Sequence, residues 1–245
     1  MSGISILMYH QVGRFAPMKT HRAVYCDVGR FRMQMRTLRA LGVPVLSMTE
    51  AAASLAGHAP MPQRAVVLSF DDGCENFYEN ALPVLESFGY PAIVHAIAGL
   101  AGGTADWMAS DGHATPALMS FSRLREIARR GVEIGSHGAS HLRLEGMPAD
   151  RLRAEVSGSR ARLEDALGRA VAHFCYPYGS HDRAALHAVA EAGYVSAVTC
   201  QRAAATRDFD LLALPRKAIS YGDDVVGFLW KLYAKDAPKG AAVRR

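Results

Sequence analysis

The stretch Ala65-Val66-Val67-Leu68-Ser69-Phe70-Asp71-Asp72-Gly73 is a short apolar run that ends abruptly in two acids and a glycine. A run of this length, rich in β-branched residues and bounded by turn chemistry, suits a strand buried on both faces. The pattern repeats outward along the chain. Residues 4–9 form an earlier run that stops at His10, residues 131–136 a later one that stops at His137, and a third begins near Val171 and stops at Tyr176-Pro177-Tyr178. Between such runs lie amphipathic stretches with helical spacing, as in Phe31, Met35, Leu38 and Leu41, or Leu152, Val156, Leu163 and Leu167. Five of them end in glycine and pass at once, or nearly so, into an apolar run, at Gly42, Gly89, Gly131, Gly168 and Gly193. Each reads as a helix closed by a left-handed glycine that opens a strand, as at 91–98 and 194–200. Repeated helix-to-strand alternation implies a parallel sheet with covering helices. The expected class is α/β.

With 245 residues, half of them hydrophobic, the chain can bury a large core and still be one domain, as α/β barrels of this length are. We expect one catalytic unit over residues 1–234 and a frayed, flexible tail over 235–245. No apolar stretch reaches bilayer length, so no transmembrane segment is expected. The N-terminus also lacks the basic region, long apolar core and cleavage site of a secretory leader. A cytoplasmic location is the expectation. Cys26, Cys74, Cys175 and Cys200 are scattered without Cys-x-x-Cys spacing, which argues for reduced, mostly buried thiols over a disulfide framework or zinc ribbon. The formal charge of +5 comes from arginines spread along helices, which excludes a compact nucleic-acid surface. The oligomeric state has no signature.

In parallel α/β sheets chemistry collects where strands end at their carboxyl side, and His10, Asp71, Asp72, His137 and Tyr176 to Tyr178 all fall there. Taken singly, each has a bland reading. Two acids at a strand end are often a helix N-cap and a first-turn acid, Asp-Asp-Gly is turn chemistry, and a His pair spaced by four, such as His137 and His141, is often incidental. Together they are more informative. One carboxylate and two imidazoles hold a divalent ion while leaving positions for water and substrate, the ligand count of catalytic sites. The second carboxylate is then free to act as a base.

Three strings carry a family likeness: Ser69-Phe70-Asp71-Asp72-Gly73, Ser136-His137-Gly138-Ala139-Ser140-His141 and Phe174-Cys175-Tyr176-Pro177-Tyr178-Gly179. They resemble the first three motifs of the polysaccharide deacetylases, the NodB-homology carbohydrate esterases. The opening Leu7-Met8-Tyr9-His10-Gln11-Val12, with residues 31–46 after it, is similar to the branch that deacetylates poly-N-acetylglucosamine and related exopolysaccharides. The resemblance spans roughly residues 4–220. It implies a distorted (β/α) barrel of about seven strands, metal-dependent amide hydrolysis, and an N-acetylated glycan or glycoconjugate as partner. Carried over by position, Asp72, His137 and His141 are the implied ligands of a divalent metal, Zn²⁺ before Co²⁺, Ni²⁺ or Fe²⁺. Asp71 is the implied general base, and the amide of Tyr178, beside Pro177, the implied donor to the oxyanion.

The chain departs from that pattern twice. Cys175 occupies the place where many relatives have the arginine that holds the base, and Leu214-Pro215-Arg216 replaces a late Leu-x-His whose histidine is a candidate acid. An arginine keeps its proton near neutral pH, so Arg216 is not that acid. The expectation is that it reaches Asp71 from the last strand and keeps it ionised, against the alternative of a surface arginine. Protonation of the leaving amine then falls to Asp71 or His10, with His181 third. Trp107, in the irregular stretch 99–115, is a candidate sugar platform, whereas Trp230 reads as part of a helix packed on the barrel. Cys74 beside the site has no paired histidine in sequence, and a nucleophilic role is not expected. Three other activities stay open: a glycosidase using Asp71 and Asp72 as its carboxylate pair, a silent carbohydrate-binding protein on the same scaffold, and a deformylase of a lipid-linked amino sugar.

Overall fold

Strand alternation decides what this fold buries. In β5 (Arg64–Phe70) every residue after the first is buried; Val66, Leu68 and Phe70 pack outward against helices, while Ala65 and Val67 pack inward with Ile4, Ile6, Ile93, Cys175, Val198 and Leu214. Both faces of the strand are therefore covered, which explains its unbroken apolar run. The computed structural model describes residues 3–238.

In chain order, β1 (Gly3–Tyr9), β2 (Gln11–Gly13) and β3 (Tyr25–Asp27) are followed by α1 (Val28–Ala40), β4 (Val45–Leu46) and α2 (Met48–Ala56). After β5 come α3 (Leu82–Phe88), β6 (Ile93–Ala96), α4 (Phe121–Arg129) and β7 (Glu133–Ser136). The chain continues through α5 (Ala149–Arg153), α6 (Ser159–Leu167), β8 (His173–Cys175), α7 (Arg183–Glu191), β9 (Ser196–Val198), β10 (Lys217–Ala218) and α8 (Val225–Ala234). The principal sheet runs β10-β1-β5-β6-β7-β8-β9 with every pairing parallel, and β4 adds to β5. Seven parallel strands curl into a half-barrel with helices outside, in agreement with the expected class. One short segment ties its two edges. Leu214 forms a parallel bridge with Val198, its amide donating to Ala197 O at 2.8 Å, and three residues later Lys217 pairs with Leu7 of β1.

All five closing glycines have φ between 61° and 89°, the left-handed region that a side chain resists and that a helix C-terminus needs before a strand can start. The predicted helix over Leu152 to Leu167 is interrupted. Residues Ala154–Gly158 form a π-helical turn between α5 and α6. Of the tail expected over 235–245, Asp236 accepts from Lys217 Nζ at 2.6 Å and from the Ala204 amide at 3.3 Å, and residues 239–245 lie outside the described residues. One expectation needs correction: Trp230 does not pack on the barrel. Phe228 and Leu232 of α8 fill that role, and Trp230 is 61% exposed on the opposite side of the helix. Among the described residues no helix is long and apolar enough to cross a membrane.

Candidate functional site

The strands deliver their terminal residues to one rim while still bonded to the ladder. The amide of Asp71 donates to Tyr9 O at 2.9 Å, that of His137 to Ala96 O at 2.8 Å, and that of Tyr176 to Val198 O at 3.1 Å. His10, Asp71, Asp72, His137, His141, Trp107 and Tyr178 then line a common cavity of about 320 Å³. Pro177 does not reach it. The ring is buried, and a Cβ added at Gly138 would lie 3.5 Å from its Cγ. His181 also lies off the cavity, its Nδ1–H donating to Gly179 O at 2.8 Å. All four non-glycine residues with positive φ among the described residues, His21, Asp72, His141 and Tyr178, line this cavity. Each such conformation costs about 1–3 kcal/mol and persists only where the surroundings enforce it.

Asp72, His137 and His141 form the candidate metal centre. Asp72 Oδ1 lies 3.5 Å from His137 Nε2 and 3.4 Å from His141 Nε2. Donors arranged tetrahedrally at 2.0–2.1 Å from a Zn²⁺ ion are about 3.3–3.4 Å apart, so these spacings fit a shared cation. Oδ1 itself is buried and has no hydrogen-bond partner, an expensive condition for a carboxylate unless a cation sits beside it. His137 is also held in the right tautomer. Its Nδ1 faces the carbonyl of Cys175 at 2.8 Å, which can only accept, so Nδ1 carries the hydrogen and Nε2 offers a lone pair. The loop between the two histidines is pinned from the π turn. The Glu155 carboxylate accepts from the amides of Ala139 and Ser140, both at 2.9 Å.

Beneath the rim, Arg216 is 1% exposed and grips Asp71 with both ends of its fork, Nη1 to Oδ1 at 2.7 Å and Nη2 to Oδ2 at 2.8 Å. Nε donates to Thr199 O at 2.9 Å, Nη1 also to Ser69 Oγ at 3.1 Å, and Nη2 to Cys175 Sγ at 3.2 Å. Burial alone would raise the Asp71 carboxyl. The Arg216 charge, with hydrogen bonds from His95 and Arg216, outweighs it and holds Asp71 well below the usual carboxylate range. Asp71, His95 and Cys175 also come within 4.8 Å of one another, but the guanidinium already fills that space with positive charge, and a second cation does not fit there. His10 Nε2 lies 3.8 Å from Asp71 Oδ2.

Aromatic rings lie against His141 of the candidate metal centre. Trp107 and Tyr178 lie with ring centroids 4.3 and 4.6 Å from His141, and the Arg143 guanidinium covers the other part of Tyr178 at 4.5 Å. Cys74 is buried, and desolvation raises its thiol well above its ordinary value, which removes it as a nucleophile. Cys26 and Cys175 are likewise buried, while Cys200 is exposed and lines the cavity.

Sequence reading missed His95, Glu155 and Arg143. His95 left one signal, a lone imidazole inside the apolar run 91–98 at the parity that faces the barrel interior. It is fully buried, 3.5 Å from Asp71 Oδ1 and 3.3 Å from Ser69 Oγ, and burial drives its pKa down from 6.5 to about 4. Glu155 and Arg143 carry no such signal.

The family model for polysaccharide deacetylase matches residues 58–197. The chain is 27% identical over 219 residues to YxkH of Bacillus subtilis (strain 168), covering 89% of this chain and 72% of that protein. It is 33% identical over 110 residues to the poly-beta-1,6-N-acetyl-D-glucosamine N-deacetylase of Escherichia coli (strain K12), covering 43% of this chain but 16% of that protein. Among solved structures, the Streptococcus pyogenes deacetylase PplD in complex with acetate superposes with a TM-score of 0.80 at 25% identity, covering 94% of this chain and 98% of its own. IcaB from Ammonifex degensii shares the fold with a TM-score of 0.79 at 23% identity, covering 95% and 98% of the two chains.

Proposed function

Since this chain belongs to the polysaccharide deacetylase family, we propose that it hydrolyses the N-acetyl amide of an amino sugar in a polysaccharide, oligosaccharide or glycoconjugate, releasing acetate and leaving a free amine. The observation that carries this reading is the division of labour between neighbours. Asp72 faces two imidazoles, while Asp71 is turned away from them and kept ionised by Arg216.

Asp72, His137 and His141 are the residues that would hold a divalent cation, Zn²⁺ by preference. When bound, such an ion supplies Lewis acidity toward the acetyl carbonyl and lowers the pKa of a water molecule. Asp71 takes the proton of the attacking water, and Arg216 holds its carboxylate in place through both oxygens. The backbone amide of Tyr178 donates to the oxyanion, a contribution of about 3 kcal/mol for a preorganised donor. As the C–N bond breaks, the amine receives a proton from Asp71 or from His10, which sits on the cavity wall beside it. Trp107 and Tyr178 offer ring faces to the sugar. A groove of about 720 Å³ shares Trp107, His141, Arg143 and Tyr178 with the cavity, which gives a longer glycan room to leave the site.

The test is product analysis by mass spectrometry on metal-loaded protein, using N-acetylglucosamine oligomers, lipid-linked N-acetyl sugars and formylated amino sugars. Loss of an acetyl group, abolished by chelator and restored by Zn²⁺ or Co²⁺, is the expected result. Loss of formyl alone would move the assignment to a deformylase. Shortened sugar chains would move it to a glycosidase, and saturable binding without turnover to a silent binder.

A further inference from the structure

His21, Val24, Met108 and His113 line the cavity without a role in the proposed reaction. They come from two segments that the metal centre does not use, the chain between β2 and β3 and the irregular stretch 99–115. A separate small core of Tyr25, Cys74, Ile97, Ala105, Met108 and Leu118 backs this wall. His113 is tied to it twice, its amide donating to Met108 O at 3.1 Å and its Nδ1 lying 2.9 Å from the Tyr25 hydroxyl. The His21 ring meets the imidazole at a centroid distance of 4.8 Å. These contacts fix the orientation of His113.

Which ring nitrogen carries the hydrogen follows from a chain of bonds that runs in one sense. The Val12 amide can only donate, so Asn76 turns Oδ1 toward it, at 3.4 Å, and Nδ2 toward Gln11 Oε1, at 3.1 Å. Gln11 then has its Nε2 on the side of Met108, whose Sδ lies 3.5 Å away, and Gln11 and Tyr25 are partners in the β2–β3 ladder. Burial raises the Tyr25 phenol, and a hydrogen bond with Gln11 opposes that rise, the sign expected when the phenol oxygen accepts. The phenol hydrogen is left for His113. Tyr25 therefore donates to Nδ1, which holds the lone pair, and in the neutral imidazole the hydrogen sits on Nε2. Among the described residues no group takes that hydrogen, and His113 is half-buried at the cavity wall.

On the deacetylase reading, on which this inference rests, we propose that His113 is a specificity-determining residue that donates Nε2–H to a hydroxyl oxygen of the sugar bearing the acetamido group. Its place selects that sugar, because His113 lines the cavity with Asp71 and Asp72 but not the outgoing groove. A hydrogen bond to a hydroxyl away from the scissile amide is alike in the ground and transition states, so it acts on KM and not on kcat. The test is steady-state acetate release from N-acetylglucosamine oligomers, lipid-linked N-acetyl sugars and their monodeoxy forms. His113→Ala is expected to raise KM about three- to tenfold, the size of one neutral hydrogen bond, with kcat within about twofold and Zn²⁺ affinity unchanged. His113→Gln, which keeps an amide donor, is expected to recover part of the loss. One monodeoxy substrate is expected to cost the parent the same factor and His113→Ala nothing further. Nitrogen-15 NMR of the parent is expected to show His113 in the Nε2–H form, and Tyr25→Phe to mix the two tautomers. Unchanged KM in His113→Ala, deoxy penalties equal in parent and variant, or a lone hydrogen on Nδ1 in the parent would overturn the proposal. So would a KM rise matched by a loss of Zn²⁺ affinity, which would make His113 a prop of the metal centre. A parent that releases acetate from none of the substrates would overturn the deacetylase reading and this role with it, whereas the other outcomes, seen with an active parent, strike the role alone.

Discussion

Asp71 and Arg216 pair directly and almost wholly out of contact with water, so their behaviour is governed by burial as much as by charge. Removing one partner leaves an uncompensated charge in the interior, a loss of about 3–5 kcal/mol. Arg216→Met is expected to destabilise the protein by that order in urea denaturation. The pH dependence follows with a definite sign. In the proposed reaction Asp71 acts as a base when ionised, and because Arg216 holds it well below the usual carboxylate range, it is expected to impose no acid limb on kcat/KM near neutrality. In Arg216→Met burial acts unopposed, the carboxyl titrates higher, and an acid limb is expected to move up toward neutral pH; a profile that keeps its shape would refute the role. His95 has the opposite relation to its proton. Burial lowers it from 6.5 to about 4, so between those values the unfolded chain binds more protons than the folded one. Its stabilising contribution is complete above pH 6.5 and shrinks by about 3 kcal/mol as pH falls to 4. His95→Gln is expected to flatten the stability profile in that window. His141, likewise lowered by burial to about 4, adds to stability in the same direction over that window.

At the scale of elements, the spacing of the two candidate histidine ligands depends on a third element that never touches the cation site. Residues 138–140 leave β7 and turn back at His141, whose φ is 58°. The Glu155 carboxylate holds that turn by two amide hydrogen bonds from a helix widened at Ala154–Gly158. π turns often occur at functional positions because they move one residue out of helical register. Glu155→Gln keeps the shape but weakens the acceptor. It is expected to lower Zn²⁺ affinity about ten- to a hundredfold in a calorimetric or chelator-competition titration, with little change in helix content. An affinity equal to that of the unsubstituted protein would show that the loop holds its turn without Glu155. Strand parity is equally specific. Gly135 lies directly below the His95 ring, where an added Cβ would sit 2.5 Å from His95 Cδ2, so β7 has no side chain at the point where β6 places an imidazole.

For the whole molecule, a cation held by the proposed ligands Asp72, His137 and His141 would link the end of β5 to the loop after β7, parts far apart in sequence, and its binding would be coupled to folding. A ligand at a hundred times its dissociation constant adds about 2.7 kcal/mol of stability. Thermal unfolding is expected to rise with added Zn²⁺ and to fall with chelator, and Asp72→Asn is expected to lose most of that response. Much of this was legible in the chain itself. Apolar runs ending in His10, Asp71 and His137, and glycines that close helices before strands, express local physics: burial on both faces, and a backbone region that only glycine enters cheaply. Those features determined the parallel α/β class and the strand-end location of the polar residues; the assignment of Asp72, rather than Asp71, to His137 and His141 came from the family resemblance. The departures from the family pattern also raised the pairing of Arg216 with Asp71, against a surface arginine; the fold decides for the pairing across 145 residues, because the segment from Leu214 to Ala218 bridges the two edges of the half-barrel. Tertiary structure alone decided the rest. His95 and Glu155 join the site through pleat parity and a helical irregularity. Those contacts depend on which strands become neighbours and where the sheet curls, and such long-range geometry leaves no spacing in the sequence to read.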